Sequence, residues 1–222
     1  MFTLTAVPVK FIGLLLLFTF TTAYELLQTG RARKAIPRTS HGLHLAMSVI
    51  MLLMVPKSWW VPFRTVVPVP ISIALMALGV LWFAWLAVRA EAGQRSHAVG
   101  CALMFSAMVW HLVAMMVKMH NMKAMQMAPM SSSQHTMNHG APPMNHGAMA
   151  TGSGSTLWWL AVIGIPLMAW LLWASWRGAA MAVTEPGHRL AGLNAFAMNF
   201  GMFWMSTGLL VPILPFFKYL AF

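Results

Sequence analysis

Acidic side chains are nearly absent from this sequence. Among 222 residues there are three, Glu25, Glu91 and Glu185, against 14 Lys and Arg, which gives a formal net charge of +11. Acid–base enzymes with paired carboxylates and sites for hard cations need several such side chains. A basic soluble protein would suggest a nucleic-acid partner, but here the basic residues lie in short connections between apolar segments. We therefore expect neither nucleic-acid binding nor enzyme activity.

Cysteine and charge are also scarce. Because Cys101 is the single cysteine, the chain has no intramolecular disulfide and no Cys-x-x-Cys metal site. Charged residues make up 8% of the sequence, whereas soluble globular proteins have about 25%. This low fraction of charged residues excludes an ordinary soluble globular domain.

Long apolar segments dominate the chain instead. Apolar residues make up 59% of the sequence, and several segments are long enough to cross a hydrocarbon core about 30 Å thick. The sequence predicts an all-α membrane protein, a single polytopic domain over residues 1–222 with six transmembrane helices. Their predicted positions are residues 9–27, 41–60, 66–88, 97–118, 157–176 and 188–210.

The basic residues predict the orientation. The segment GRARKAIPR after the first span holds the densest positive cluster, and such clusters stay cytoplasmic. This places both termini and residues 119–156 outside the plasma membrane of a bacterium-like cell. Residues 1–23 also have features of a secretory signal peptide, with Lys10 before a short apolar region. The basic cluster that follows favours a retained anchor.

Methionine is the main excess in the sequence, at 22 residues. In the second, fourth and sixth predicted spans, Met and His recur at steps of three and four, so they share one face of each helix. The recurrence indicates three repeated helical hairpins, each with a plain helix and a helix that carries sulfur and imidazole. If the three Met/His helices pack together, these side chains line one central core: His44, Met47, Met51, Met54, Met104, Met108, His111, Met115, Met198, Met202 and Met205.

Packing alone explains part of this pattern. Met fills irregular gaps, and any packed membrane helix has a stripe with this spacing, although packing has no preference for Met over Leu or Ala on three helices. His111 lies 14 residues beyond His97, which is about 21 Å along the helix and past the bilayer midplane. Ionisable groups there are costly and usually functional. The alternative is a neutral His111 hydrogen-bonded to a neighbouring helix. His97, His41 and His188 lie at the membrane surface, where a structural role is favoured.

The connection between the fourth and fifth spans is polar and repeats Met-Asn-His-Gly-Ala. We predict a flexible outer loop over residues 119–156, because it is rich in Ser, Gly, Pro and Asn and has no periodic apolar face. It has no carboxylate for a hard cation, and zinc gains little from Met. Thioethers select soft ions, above all Cu(I), while imidazole binds both Cu(I) and Cu(II). The predicted copper ligands in this segment are His120, Met122, Met137, His139, Met144 and His146.

Two motifs and this loop suggest a relationship. The pattern Ser-His-x-x-His-x-x-Met begins at Ser40, and His97-Ala98 is followed by recurring Met. With the Met/His-rich loop, these features make the chain similar to a family of actinobacterial multi-pass membrane proteins of unknown function. The resemblance covers nearly the whole chain and implies a multi-pass fold without an assigned reaction. Loops of this kind often contain His runs, whereas Met dominates here, which favours Cu(I).

The leading hypothesis is an integral membrane copper-binding protein surrounded by the lipid bilayer. It captures Cu(I) or Cu(II) outside and passes it along the Met/His stripes, for transport or for delivery to a copper-dependent membrane oxidase or its assembly factors. Two alternatives remain open. One is a non-catalytic accessory subunit of a membrane complex. The other is a haem protein with His44 and His111 as axial ligands, against which stand their predicted depths of about 5 Å and about 21 Å from the inner ends of their spans.

Overall fold

A computed structural model of the chain describes residues 8–127 and 154–210. These residues are almost entirely helical and contain no strand, so the prediction of an all-α protein is confirmed. The α-helices are α1 (Pro8–Arg31), α2 (Ala35–Met54), α3 (Lys57–Val66), α4 (Val69–Arg89), α5 (Ala92–Met127), α6 (Gly154–Thr184) and α7 (Arg189–Leu210), with a short 3-10 turn (Pro186–His188) before α7.

Among the residues that the structure describes, three segments are long and apolar enough to cross a membrane. They are α1, α4 and the part Gln94–His120 of α5, and they correspond to the first, third and fourth predicted spans. Apolar helices of this length are compatible with a lipid bilayer. By length and composition, the described helices support three of the six predicted spans and do not support the other three.

The second predicted span, residues 41–60, is wrong as a single helix. Helix α2 ends at Met54 and the separate helix α3 begins at Lys57. Pro56 lies between them, and proline has no backbone N–H and a ring that clashes with the carbonyl four residues earlier. Helix α3 has ten residues and is therefore about 15 Å long, too short to cross a bilayer. Its Trp60 is buried, while the neighbouring Trp59 is exposed.

The predicted loop over residues 119–156 is shorter than expected. Helix α5 continues to Met127 and α6 begins at Gly154, so residues 119–127 and 154–156 are helical. The reason is local, because residues 119–127 contain Met, Lys, Ala and Gln, which favour helices, and the first proline comes at position 129. The rest of the predicted loop, residues 128–153, lies outside the described residues.

Consecutive long helices pack in antiparallel pairs. The most extensive contacts are between α6 and α7, between α4 and α5, and between α1 and α2. Helix α1 also packs against α7, with Lys10 near the start of α1 against Thr207 near the end of α7. At its other end, Glu25 contacts both His41 of α2 and Asn194 of α7. Helices α2 and α7 therefore begin at the same end of the bundle.

Candidate metal-binding core

Eight methionines from α2, α5 and α7 are buried in one continuous apolar core. Each is at most 5% exposed, and all belong to a single cluster of contacting buried residues. We call this set the methionine core; its members are Met47, Met51, Met54, Met104, Met108, Met198, Met202 and Met205. The structure thus places these eight predicted residues in the interior of the bundle rather than on its lipid-facing or solvent-facing surface.

The methionine core follows from helix periodicity and helix direction together. Steps of three and four residues keep each stripe on one helix face, and that face points inward in all three helices. Helices α5 and α7 run in the same direction. Phe105 of α5 contacts His44, one turn from His41, which shares Glu25 with Asn194 near the start of α7, and further along α5 His111 meets Ser206 near the end of α7. At about 1.5 Å per residue, Met198 and Met205 lie about 6 Å and about 16 Å beyond Asn194 along α7. The sulfurs are thus distributed along the bundle rather than gathered at one level.

The remaining predicted ligands differ in their surroundings. Met115 is half-buried and packs against the core, whereas His120 is exposed. Met122 lies in α5, but its side chain lies outside the described part. The last four, Met137, His139, Met144 and His146, fall in residues 128–153 and so also lie outside the described residues.

His44 lies between two aromatic rings. Its ring centroid is 5.1 Å from that of Phe83 and 5.4 Å from that of Phe105, so α4 and α5 both contact it. Its Nδ1 atom is buried and has no hydrogen-bond partner, which is uncommon for a buried polar atom. Met47 lies one helical turn further along the same face. His44 therefore presents an unused nitrogen donor next to the first sulfur of α2.

His111 has a different environment and is buried as a whole residue, whereas His44 is partly buried. Its Nδ1 and Ser206 Oγ of α7 share a hydrogen bond of 2.8 Å. This is the bond to a neighbouring helix that the sequence left open as an alternative to metal binding. This bond orients the ring and occupies Nδ1, so a ligand could bind only at Nε2.

Removing the hydroxyl of Ser206 is expected to destabilise the bundle by about 1 kcal/mol, because Ser206→Ala leaves Nδ1 of His111 buried without a partner. The free energy of unfolding in mixed detergent micelles measures this effect. Ser106→Ala is the control, since the Ser106 hydroxyl bonds only to the carbonyl of Ala102 in its own helix. Equal stability changes for the two variants would show that the bond between helices adds nothing.

Polar contacts that the sequence did not predict lie near both ends of α1. Glu25 is 3% exposed; His41 Nδ1 lies 2.9 Å from its Oε2, and Asn194 Nδ2 donates to its Oε1 at 2.7 Å. Near the other end, the buried Lys10 donates to Thr207 Oγ1 at 2.8 Å. The signal for Glu25 was its position inside an apolar segment, where a carboxylate is costly. Its partner Asn194 is 169 residues away and had no comparable signal, whereas His41 stands in the Ser-His-x-x-His-x-x-Met motif but was not predicted to contact Glu25.

Two more methionines and the single cysteine are also buried. Met76 of α4 and Met168 of α6 are buried in the same cluster as the methionine core, although the sequence assigned these helices no sulfur role. The Sγ atom of the buried Cys101 lies 3.9 Å from His97 Nδ1. Sulfur donors therefore reach the interior from helices outside the three predicted stripes as well.

The buried sulfur donors have the chemistry of soft-ion ligands. Within residues 8–127 and 154–210, no three or more His, Cys, Asp or Glu side chains come together in a group able to hold a metal ion. The donors that do share a buried region are thioethers, with single imidazoles at different levels. Neutral sulfur donors suit Cu(I) rather than calcium, magnesium or zinc.

Comparison with protein-family models, with curated proteins and with solved structures finds no match to this chain.

Proposed function

We propose that this protein is an integral membrane copper-binding protein that captures Cu(I) or Cu(II) outside the membrane and passes it on, for transport or for delivery to a copper enzyme. One observation carries the proposal, namely the burial of eight thioethers from α2, α5 and α7 in one core. A packed interior needs apolar volume, which Leu supplies with better-defined rotamers than Met. Soft-metal binding is what Met adds to the same volume.

The proposed membrane arrangement has six spans in three hairpins. Helices α1, α2, α4, α5, α6 and α7 each cross the bilayer of a bacterial plasma membrane, and α3 lies at its surface. The support is the antiparallel pairing of consecutive long helices and the basic segment between α1 and α2, which is cytoplasmic by the positive-inside rule. Both termini and residues 128–153 then face outward.

In the proposed route, copper is collected by the Met/His-rich segment and enters beside the end of α7, where α7 packs against the middle of α5. His111 and Met205 lie near this level, as does Met51, about 15 Å beyond His41 along α2. Met202 and Met108 follow toward the end of the bundle that holds Glu25. His44, with its unpaired Nδ1, lies nearer that same end. Neutral ligands bind Cu(I) without requiring a proton to leave, and exchange between neighbouring thioethers suits transfer better than storage.

The proposed recipient is the cytoplasm or a copper-dependent membrane oxidase during its assembly. A protein partner would dock on the apolar outer surface, where large side chains such as Leu81, Trp173 and Trp176 are about half or more exposed. The same surface supports the second candidate, a purely structural accessory subunit of a membrane complex. Copper content separates the two functions, because a structural subunit has no reason to retain the metal.

Copper analysis of the purified full-length protein tests this proposal. We expect copper to copurify, and we expect part of it to be lost when the four Met and three His of residues 128–153 are all replaced by Ser, since the soft donors of the collecting segment are then gone. A control replaces seven of the Ser, Thr, Gln and Asn residues of the same segment by Ala and should keep the full copper content. Wild-type protein with no copper above background, and no effect in Cu(I) competition assays, would refute the proposal.

A further inference from the structure

The Glu25 cluster, which we define as Glu25, His41 and Asn194, joins three helices at one end of the bundle. Asn194 Nδ2 donates to one carboxylate oxygen at 2.7 Å, and His41 Nδ1 lies 2.9 Å from the other. Glu25 and Asn194 are 3% and 7% exposed, while 35% of the His41 side chain is exposed. The carboxylate is therefore fixed inside the protein, and the imidazole that it holds reaches the surface.

This geometry is typical of a histidine that is prepared to bind a metal. Metal-ligating histidines commonly donate one ring N–H to a carboxylate, which fixes the tautomer and makes the other nitrogen a better donor. Because an ionised carboxylate can only accept a hydrogen bond, Nδ1 of His41 carries the proton in this contact, and the lone pair of the neutral ring is on Nε2. His44 lies one helical turn further in on the same face of α2, and its Nδ1 has no partner. Two imidazoles thus lie between the surface and Met47.

Charge also favours a cation at this end. The methionine core and its imidazoles are neutral ligands, so a metal cation among them has no counter-charge. Among the residues the structure describes, Glu25 is the only buried carboxylate, since Glu91 and Glu185 are exposed. Lys10, a basic side chain, is buried at the opposite end of α1, about 22 Å away along the helix. A cation in the core is therefore more stable toward Glu25 than toward Lys10.

We propose that His41, oriented by Glu25, is the copper ligand through which Cu(I) is exchanged between the methionine core and the solution at this end of the bundle, with His44 as the next ligand inward. The inference rests on the proposed copper function and adds a site to it. It assigns a metal-binding role to a histidine for which the sequence favoured a structural one. Glu25 and Asn194 act as positioning residues, because neither needs to touch the metal.

Glu25→Gln is the main test. A carboxamide N–H directed at His41 makes Nδ1 an acceptor and moves the ring proton to Nε2, which removes the lone pair that binds copper. We expect the Cu(I) affinity of this site to fall by about 10- to 100-fold, measured by titrating copper-loaded full-length protein in lipid nanodiscs with a chromogenic Cu(I) chelator. The copper held by the methionine core should be retained. His188→Gln, which alters an exposed histidine of the turn that precedes α7, is the control and should bind like wild type.

His41→Gly provides a second test that keeps Glu25 and Asn194 intact. Because His41 is partly exposed, added imidazole has access to the space left by its ring. We expect His41→Gly to lose the site and millimolar imidazole to restore it, a result that a purely structural His41 would not give. The proposal would be overturned if the Glu25→Gln and His41→Gly proteins both fold and exchange Cu(I) like wild type. It would also be overturned if added imidazole does not restore the Cu(I) binding that His41→Gly loses. These results concern only the His41 site: if wild-type protein still binds copper, the proposed copper function is retained. Wild-type protein that binds no copper would refute the proposed function itself.

Discussion

Simultaneous replacement of Met47, Met51, Met104 and Met108 by Leu is expected to reduce the Cu(I) affinity of the methionine core by more than about 100-fold while the protein still folds. Each side chain is at most 5% exposed, so its sulfur has no access to solvent donors. Leu and Met have similar volumes, and such exchanges in a core cost less than about 1.5 kcal/mol each. The variant therefore removes four soft ligands and leaves the apolar packing nearly unchanged.

The measurement is a Cu(I) competition titration on protein that lacks the Met and His of residues 128–153, so that only the helices contribute. The control also replaces four methionines by Leu, but outside the three stripes: Met76 and Met168, which are buried, Met116, which is exposed, and Met181, which is partly buried. If the control loses as much affinity as the test variant, the three stripes have no special role in Cu(I) binding. If neither variant loses Cu(I) affinity, the methionines serve only to pack the helices, which is the alternative explanation of their spacing.

Periodicity was sufficient to predict the interior face of three helices. Spacings of three and four residues placed Met51, Met108 and Met202 on inward faces, and each is fully buried. The prediction succeeded because helix geometry converts sequence spacing directly into a shared face. The same geometry says nothing about distances between faces of different helices, so the grouping of the three stripes into one core required the structure.

Contacts between helices were beyond prediction for a related reason. Glu25 and Asn194 are 169 residues apart, and no local pattern links them. His44 and His111 were both predicted as ligands at different depths, but the sequence did not show that Nδ1 of His44 is unpaired while Nδ1 of His111 is bonded to Ser206. Pro56, by contrast, was a local signal for the end of α2 that the continuous hydropathy of residues 41–60 obscured.

The second large effect is expected where α6 and α7 touch. Gly178 and Gly192 lie at this crossing, and small residues of this kind allow membrane helices to approach closely. A Cβ atom on Gly178 would lie 2.7 Å from the backbone nitrogen of Phe196 and 3.0 Å from the carbonyl oxygen of Gly192. Backbone atoms cannot rotate away as a side chain can, so the helices must separate. We expect Gly178→Ala to destabilise the protein by about 1–3 kcal/mol and Gly178→Leu to prevent the pairing of α6 with α7.

The same substitution at a second glycine gives the opposite expectation. Gly42 lies inside α2, and a Cβ atom at this position would have no atom of a neighbouring helix within 4 Å, so Gly42→Ala should stabilise the protein by up to about 1 kcal/mol through helix propensity alone. Unfolding in mixed micelles measures both variants. Gly178→Ala should also weaken Cu(I) binding, because displacement of α7 moves Met198, Met202 and Met205 away from the sulfurs of α2 and α5. A Gly178→Ala protein that is as stable as wild type would contradict the close approach of α6 and α7, whereas one that is destabilised but binds copper normally would show that α7 contributes no ligand to the methionine core.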